Sequence, residues 1–153
     1  MSPAAFVAVV VIGFVTCAEF GSYAFVHPVI RRLPPAEHLR VEQGLLRTFG
    51  RIMPAGMTAA PMLSLLLVMR PDGAAQTAAG PVLLRLAAAS LTLALISTIA
   101  VNVGINRSTG TWDPDRPPAD WKRTRDRWER FQALRSWLLL LGFALLVGSQ
   151  VTW

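Results

Sequence analysis

The chain has 153 residues, of which 53% are hydrophobic and only 16% are charged. A soluble domain averages about 25% charged residues, and no nucleic-acid-binding motif accompanies the net charge of +6. Composition therefore disfavours a soluble globular domain and a nucleic-acid-binding protein. The length fits a single domain, so we treat residues 1–153 as one unit.

The apolar residues are concentrated in four runs, each close to the length of a membrane-spanning helix, which is about 17–25 residues. We predict spans at about 4–27, 53–69, 81–103 and 135–152. These runs lack the regular polar positions that a water-soluble bundle would show every third or fourth residue. The sequence therefore predicts an all-α membrane protein with a four-transmembrane-helix bundle.

Two polar connections, residues 28–52 and 104–134, separate these spans. In the first, Pro35 suits the first position of a helix and Glu37 suits its positive end, which predicts an extra amphipathic cytoplasmic helical segment. The second span contains Pro54 and Pro61, which predict a kink. Two tryptophans fit the interfacial belts at the ends of the last span, namely Trp137 and Trp153.

Basic residues are distributed unequally between the two sides of the predicted membrane. Thirteen of the 15 Lys and Arg residues lie in connections 28–52 and 104–134 or at their edges, and only Arg70 and Arg85 lie on the other side. Because basic residues are retained in the cytoplasm, these two connections should be cytoplasmic and both termini outside. We therefore expect an integral protein of the bacterial cell membrane.

Polar side chains gather at the cytoplasmic ends of the spans. His27 closes the first span, Asn102 and Asn106 close the third, and Arg135 opens the fourth. Glu19 lies about 12 Å deeper than His27 along a helix. Polar groups at this depth are costly unless they have partners, so their clustering predicts a small-molecule pocket. We expect Arg135 to reach Asn102, Asn106 or a ligand between them, with His27 at the border.

A second set of side chains is predicted to contact the substrate from the same membrane face. Taken singly, each has a structural explanation: arginines reach for phosphates, tryptophans form belts and amides bridge helices. Their concentration at one face favours a site. The set comprises Tyr23, Arg47, Arg51, Arg107, Trp128 and Gln132.

Four motifs in this order resemble the anthrone oxygenase-like family of small four-helix membrane proteins. They are Tyr-Ala-Phe-Val-His-Pro at 23–28, Gly-Arg-Ile-Met-Pro at 50–54, the Asn102 and Asn106 pair, and the spacing from Trp128 to Arg135. The resemblance covers nearly the whole chain. Many relatives have a histidine four residues after the tryptophan, where this chain has Gln132, so a role of that histidine as base or ligand would be lost or moved here.

The best-known members of that family oxidise anthrones to anthraquinones in aromatic polyketide pathways. The resemblance therefore implies a membrane-embedded oxygenase for a small apolar or aromatic, anthrone-like substrate, using O₂. Such a reaction needs a base, donors for the developing oxyanion and a dry apolar slot. His27 or Glu19 could be the base, and Asn102, Asn106 and Arg135 the donors.

The expected partners are the lipid bilayer and a small apolar substrate, and a homo-oligomer is compatible with the sequence. We expect no cofactor and no metal site, because the chain has only two histidines and contains neither a His-x-x-x-His nor a Glu-x-x-His motif. The alternative is a haem or copper site built from His27 with Glu19 or a methionine.

Two other classes of function remain open from the sequence. A single Glu19 in the first span is typical of small proton-coupled drug exporters, although those proteins have short loops and this chain has long cytoplasmic segments. The third class is a non-catalytic membrane partner protein. An absorption band of a bound haem or flavin in the purified protein would favour a redox enzyme over both.

The charge asymmetry generates a test of topology. Cysteines introduced near Asp72 and near Asp115 should differ in their reaction with a membrane-impermeant thiol reagent on intact cells. We expect only the cysteine near Asp72 to react, because the basic connection that contains Asp115 should face the cytoplasm. The reverse labelling pattern would reject this orientation.

Overall fold

The computed structural model describes residues 1–70 and 79–151, and all regular structure in this part is helical. The predicted connection at 70–80 lies mostly outside the described residues, as does Trp153. Two π-helical turns join consecutive helices, Ser22–Val26 between α1 and α2 and Thr98–Asn102 between α4 and α5. The helices are α1 Pro3–Gly21, α2 His27–Ile30, α3 Pro35–Val68, α4 Ala79–Ser97, α5 Val103–Thr111 and α6 Trp121–Val151.

Four helical stretches within the described residues are long and apolar enough to cross a membrane. This confirms the predicted all-α, four-helix membrane bundle and makes the chain an integral membrane protein. The stretches are Pro3–Ile30, Pro35–Val68, Ala79–Thr111 and Trp121–Val151.

The helices extend well beyond the predicted spans at one end of the bundle. The amphipathic segment and the second span form one helix, α3, which continues through Pro54 and Pro61. Helix α6 begins at Trp121, so the basic segment before residue 135 is helical too. A proline removes one backbone hydrogen bond, a loss that membrane helices tolerate where they pack against neighbouring helices. Near the first proline, the Thr58 hydroxyl donates a hydrogen bond to the Pro54 carbonyl at 2.8 Å.

The apolar core lies in the membrane-spanning half, where small residues let the helices approach closely. Polar cross-links reinforce this packing: Ser90 donates to the Leu138 carbonyl at 2.7 Å, and Thr16 donates to the Leu139 carbonyl at 3.4 Å. The core is formed by Ala8, Ile12, Val15, Met57, Ala60, Leu84, Ala87, Leu91, Ala94, Leu139 and Leu146.

The extended helix ends form a polar layer beyond the core. Gln43 on α3 donates to the carbonyls of Thr109 and Trp112, at 3.0 and 2.8 Å, which fixes α3 against the end of α5. Arg40 forms an ion pair with Asp115 in the following connection. These contacts hold the first half of α3 beside the end of α5 and the connection that follows it.

Close packing of α4 against α6 makes Gly142 sensitive to added volume. A methyl group there would lie 2.8 Å from Leu91 Cγ and 3.4 Å from the Ala87 carbonyl oxygen. We expect Gly142→Ala to lower stability by about 1–3 kcal/mol, as overpacking does. Gly148→Ala is the matched control on the same helix, because its nearest contact would be an ordinary 3.7 Å. Equal melting temperatures for the two variants in detergent would contradict this packing.

Candidate functional site

A cavity of ≈ 210 Å³ lies where α1, α3, α4, α5 and α6 meet, at the level of the two π-helical turns. We call it the central cavity. One side of it is hydrocarbon and the other carries buried polar groups, which is the usual form of a small-molecule site. The hydrocarbon side is formed mainly by Leu45, Leu46, Phe49, Met53, Met57, Leu95, Ile99 and Val103.

A buried ion pair forms the floor of the central cavity. The Arg135 guanidinium on α6 donates to Glu19 Oε2 on α1 at 2.7 Å, and the Gln132 amide donates to the same oxygen at 3.0 Å. Arg135 also contacts Gln132 Oε1. Ser136 donates to the Glu19 backbone carbonyl at 3.3 Å. The Glu19 carboxylate, on the first span, is therefore held by donors from the fourth span.

A second buried charge cluster lies beside the cavity, and its centre is Glu42 on α3. Arg125 Nη2 is 2.7 Å from Glu42 Oε1, His27 Nδ1 is 3.4 Å from it, and His38 Nε2 is 3.7 Å from it. Arg125 is only 1% exposed. Glu42 and His27 line the cavity, whereas His38 and Arg125 lie behind them.

Aromatic rings complete this second cluster. The His27 ring lies 4.8 Å from the Trp128 ring between centroids, and the Arg125 guanidinium carbon lies 4.2 Å from the same indole. The His38 ring packs edge-on against Trp121 at 5.4 Å. Cation–π contact with a desolvated guanidinium is stabilising. His27 thus lies between the Glu42 carboxylate and the Trp128 ring.

The two asparagines, Asn102 and Asn106, lie in different environments. Asn106 lines the central cavity, and its Oδ1 is buried without a hydrogen-bond partner. Asn102 is fully buried and donates to the Trp128 backbone carbonyl at 3.2 Å, outside the cavity wall. The expectation that Arg135 reaches the asparagines needs correction: its guanidinium is directed at Glu19 and Gln132 instead.

Four of the predicted substrate contacts lie away from the central cavity. Arg47, Arg51 and Arg107 are exposed and do not line it, because they lie on outer faces of α3 and α5. Tyr23 shares the π-helical turn Ser22–Val26, where the wider turn breaks the regular α-helical spacing from Glu19. Tyr23 consequently lines a different cavity. Trp128 and Gln132 do line the central cavity.

The different cavity lies between the first helical stretch and α6, and we call it the α1–α6 cavity. Its volume is ≈ 500 Å³, and Phe20, Tyr23 and Trp137 contribute aromatic walls. Arg31 and Glu129 form an ion pair across it. His27 and Gln132 line both cavities. These two side chains therefore lie between the central cavity and the α1–α6 cavity.

No group of three or more His, Cys, Asp and Glu side chains in residues 1–70 and 79–151 is arranged to hold a metal ion. The pairing of His27 with Glu19 that would support a haem or copper site is not among the close contacts: His27 lies against Glu42, and Glu19 lies against Arg135. Residues that could take part in acid–base chemistry at the cavity are His27 and Glu42.

Fold and site together define a helical membrane protein with a small apolar cavity that is closed at one end by buried acid–base groups. A sequence model of the anthrone oxygenase family matches residues 45–145, well over half of the chain. The protein belongs to the anthrone oxygenase family, as its motifs predicted. No curated protein and no solved structure gave a match.

Sequence reasoning missed Glu42, His38 and Arg125. Glu42 lies four residues after His38, so the two share a helix face, and Arg125 lies three residues before Trp128. A search for buried ionisable residues on the amphipathic segment could have found the first pair. The contact between α3 and α6 that joins Glu42 to Arg125 depends on tertiary structure and leaves no local signal.

The Glu19–Arg135 pair generates a prediction of stability. Glu19→Gln leaves a buried guanidinium without its counterion, and Arg135→Gln leaves the carboxylate, so each should cost about 3–5 kcal/mol. The double variant should cost clearly less than the sum of the two, because neither charge is then left alone. Arg47→Gln, on an exposed face, is the control and should change stability by under about 0.5 kcal/mol. Additive losses measured by denaturation in detergent would mean that the two residues act independently.

Proposed function

We propose that this protein oxidises a compact, anthrone-like C–H acid with dioxygen inside the membrane. The proposal rests above all on His27, which lies against Glu42 at the polar end of an otherwise apolar cavity. Membership of the anthrone oxygenase family supports it at the level of oxygenase chemistry. The cavity volume of ≈ 210 Å³ is below the range of about 300–1,000 Å³ of drug-sized ligand sites, which favours a small substrate.

The proposed reaction balances without a cofactor. A base removes a proton from the methylene carbon between the two aromatic rings, and the resulting enolate gives one electron to O₂. The carbon radical and superoxide combine, and a proton completes the hydroperoxide. Loss of the remaining hydrogen on that carbon, with cleavage of the O–O bond, releases water and forms the second carbonyl. The sum is anthrone plus O₂ to anthraquinone plus water.

His27 is the best-placed base for the first step. Its Nδ1 lies near the Glu42 carboxylate, which can hold the ring orientation and stabilise the imidazolium that forms. Glu19 is the poorer candidate, because Oε2 of its carboxylate already accepts from Arg135 and Gln132. The same ion pair weighs against the exporter alternative, in which Glu19 would have to release and rebind protons freely.

Three donors are available for the developing oxyanion. Gln132, Arg135 and Asn106 all line the cavity, and Arg135 Nε is buried without a partner. Donors that are fixed before the reaction stabilise developing charge more effectively than water does. Glu19 fixes Gln132 and Arg135, so its part in the proposal is to position donors.

Substrate is proposed to enter from the bilayer. The cavity wall includes Gly50, Pro54, Thr58 and Ile99, which are exposed residues of α3 and of the π-helical turn after α4. Ile99 is 61% exposed. Because these side chains would face hydrocarbon chains of the lipid, an apolar substrate dissolved in the membrane could reach the cavity without crossing water.

The base assignment is tested by turnover. In lipid nanodiscs with anthrone as substrate, His27→Gln should lower kcat by at least about 100-fold, since general-base catalysis typically contributes 10²- to 10⁴-fold. Anthraquinone absorbance and oxygen uptake should fall together. Added imidazole should partly restore the turnover of His27→Ala, and Arg47→Gln should behave like the unmodified protein. Full activity of a folded His27→Gln variant would refute this role.

A further inference from the structure

The α1–α6 cavity is larger than the central cavity, and the proposed reaction does not use it. Among the described residues, those that line it lie within 20–31, at the end of the first helical stretch, and within 129–137 of α6. It is separated from the central cavity by the side chains of His27 and Gln132, which are 5% and 1% exposed. A cavity of this size, ≈ 500 Å³, is within the range of sites for small organic molecules.

The apolar part of this cavity is built from aromatic rings. Phe20 packs edge-to-face with Trp137 at 5.2 Å and with Tyr23 at 5.9 Å between centroids. Phenol and indole rings are electron-rich, and their faces attract flat, electron-poor rings by offset stacking. Aliphatic side chains such as Ala24 and Ala133 are small here, which leaves room for a planar ligand.

The polar part of the cavity has more hydrogen-bond donors than acceptors. The Tyr23 hydroxyl and the Arg130 guanidinium are donors, and Glu129 is the one carboxylate acceptor that lines the cavity among the described residues. That carboxylate is engaged by Arg31. A fitting ligand should therefore present acceptor oxygens to the donors and should not need to donate in return.

We propose that the α1–α6 cavity binds a quinone ring. A quinone is flat and electron-poor, and its two carbonyl oxygens accept hydrogen bonds, so it matches the aromatic walls and the surplus of donors. Two sources share this chemistry, the anthraquinone product and a quinone dissolved in the membrane. Binding of the anthraquinone product rests on the proposed function, whereas the quinone site itself does not depend on it.

The shared wall connects this site to the reaction. An anthraquinone formed in the central cavity adjoins His27 and Gln132, and the same two side chains adjoin the α1–α6 cavity. A quinone in the α1–α6 cavity would therefore contact His27 and Gln132 on the side opposite to the reacting substrate.

Tyr23 is the only tyrosine in the chain, which gives a direct probe of this site. In protein with ¹³C-labelled tyrosine in nanodiscs, addition of 9,10-anthraquinone or menadione should shift the single ring signal saturably. Anthracene has the same three rings as anthraquinone but no carbonyl oxygens, and it should bind more weakly. An unshifted signal with both quinones would overturn the proposal.

Matched variants locate the binding. Ala133→Trp should fill the cavity and abolish the shift, whereas Leu134→Trp, on an exposed neighbouring position, should leave it intact. Tyr23→Phe removes one hydrogen bond and should weaken quinone affinity about threefold to tenfold. Because this variant lacks the tyrosine signal, its affinity is measured by quenching of tryptophan fluorescence at constant lipid content. Equal binding by the wild type and folded Ala133→Trp would place the quinone elsewhere and refute the site.

The two probes separate the sources and separate this inference from the proposed function. Tighter binding of anthraquinone indicates the product, and tighter binding of menadione indicates a membrane quinone. Protein that binds a quinone at Tyr23 but does not oxidise anthrone would retain the site and reject the proposed reaction. Protein that oxidises anthrone but shows no effect of quinones on the Tyr23 signal would support the proposed reaction and reject the quinone site.

Discussion

The bundle depends on how it accommodates a carboxylate within a membrane span. Glu19 would be very unfavourable in hydrocarbon without a partner. Arg135 from α6 supplies the opposite charge at 2.7 Å, and Gln132 from the preceding turn of the same helix supplies a further donor. Because both residues come from the last helix, this one carboxylate fixes the rotation of α6 against α1. That rotation places Arg135 at the floor of the central cavity and Gln132 in the wall that both cavities share.

Much of the architecture was accessible from local sequence information. Hydropathy predicted four helices, and the order of motifs predicted the family, because both signals are carried by neighbouring residues. The buried positions of Glu19, His27 and Arg135 were also accessible, since ionisable residues inside apolar helices are seldom lipid-facing. The partners of these residues were not, because pairing across helices depends on their relative rotation and depth.

Two features explain why the predicted site differs in detail from the structure. A π-helical turn follows Glu19, so Tyr23 no longer shares its face and belongs to the α1–α6 cavity. Helix α3 continues through the membrane boundary, so its buried Glu42 approaches His27, a contact that a separate surface helix would not make. Composition and apolar periodicity indicate neither a widened turn nor an uninterrupted helix with two prolines.

Pro54 also changes the chemical character of the wall it belongs to. Proline has no backbone N–H, so the carbonyl of Gly50, one turn earlier, loses the donor that an α-helix would normally provide. Gly50 and Pro54 both line the central cavity. The α3 backbone beside this wall therefore carries a carbonyl oxygen without its usual donor, although the neighbouring lining side chains are apolar. Because this property comes from the backbone, it would be removed by replacing Pro54 with a residue that has a backbone N–H and would be unaffected by any change of a polar side chain.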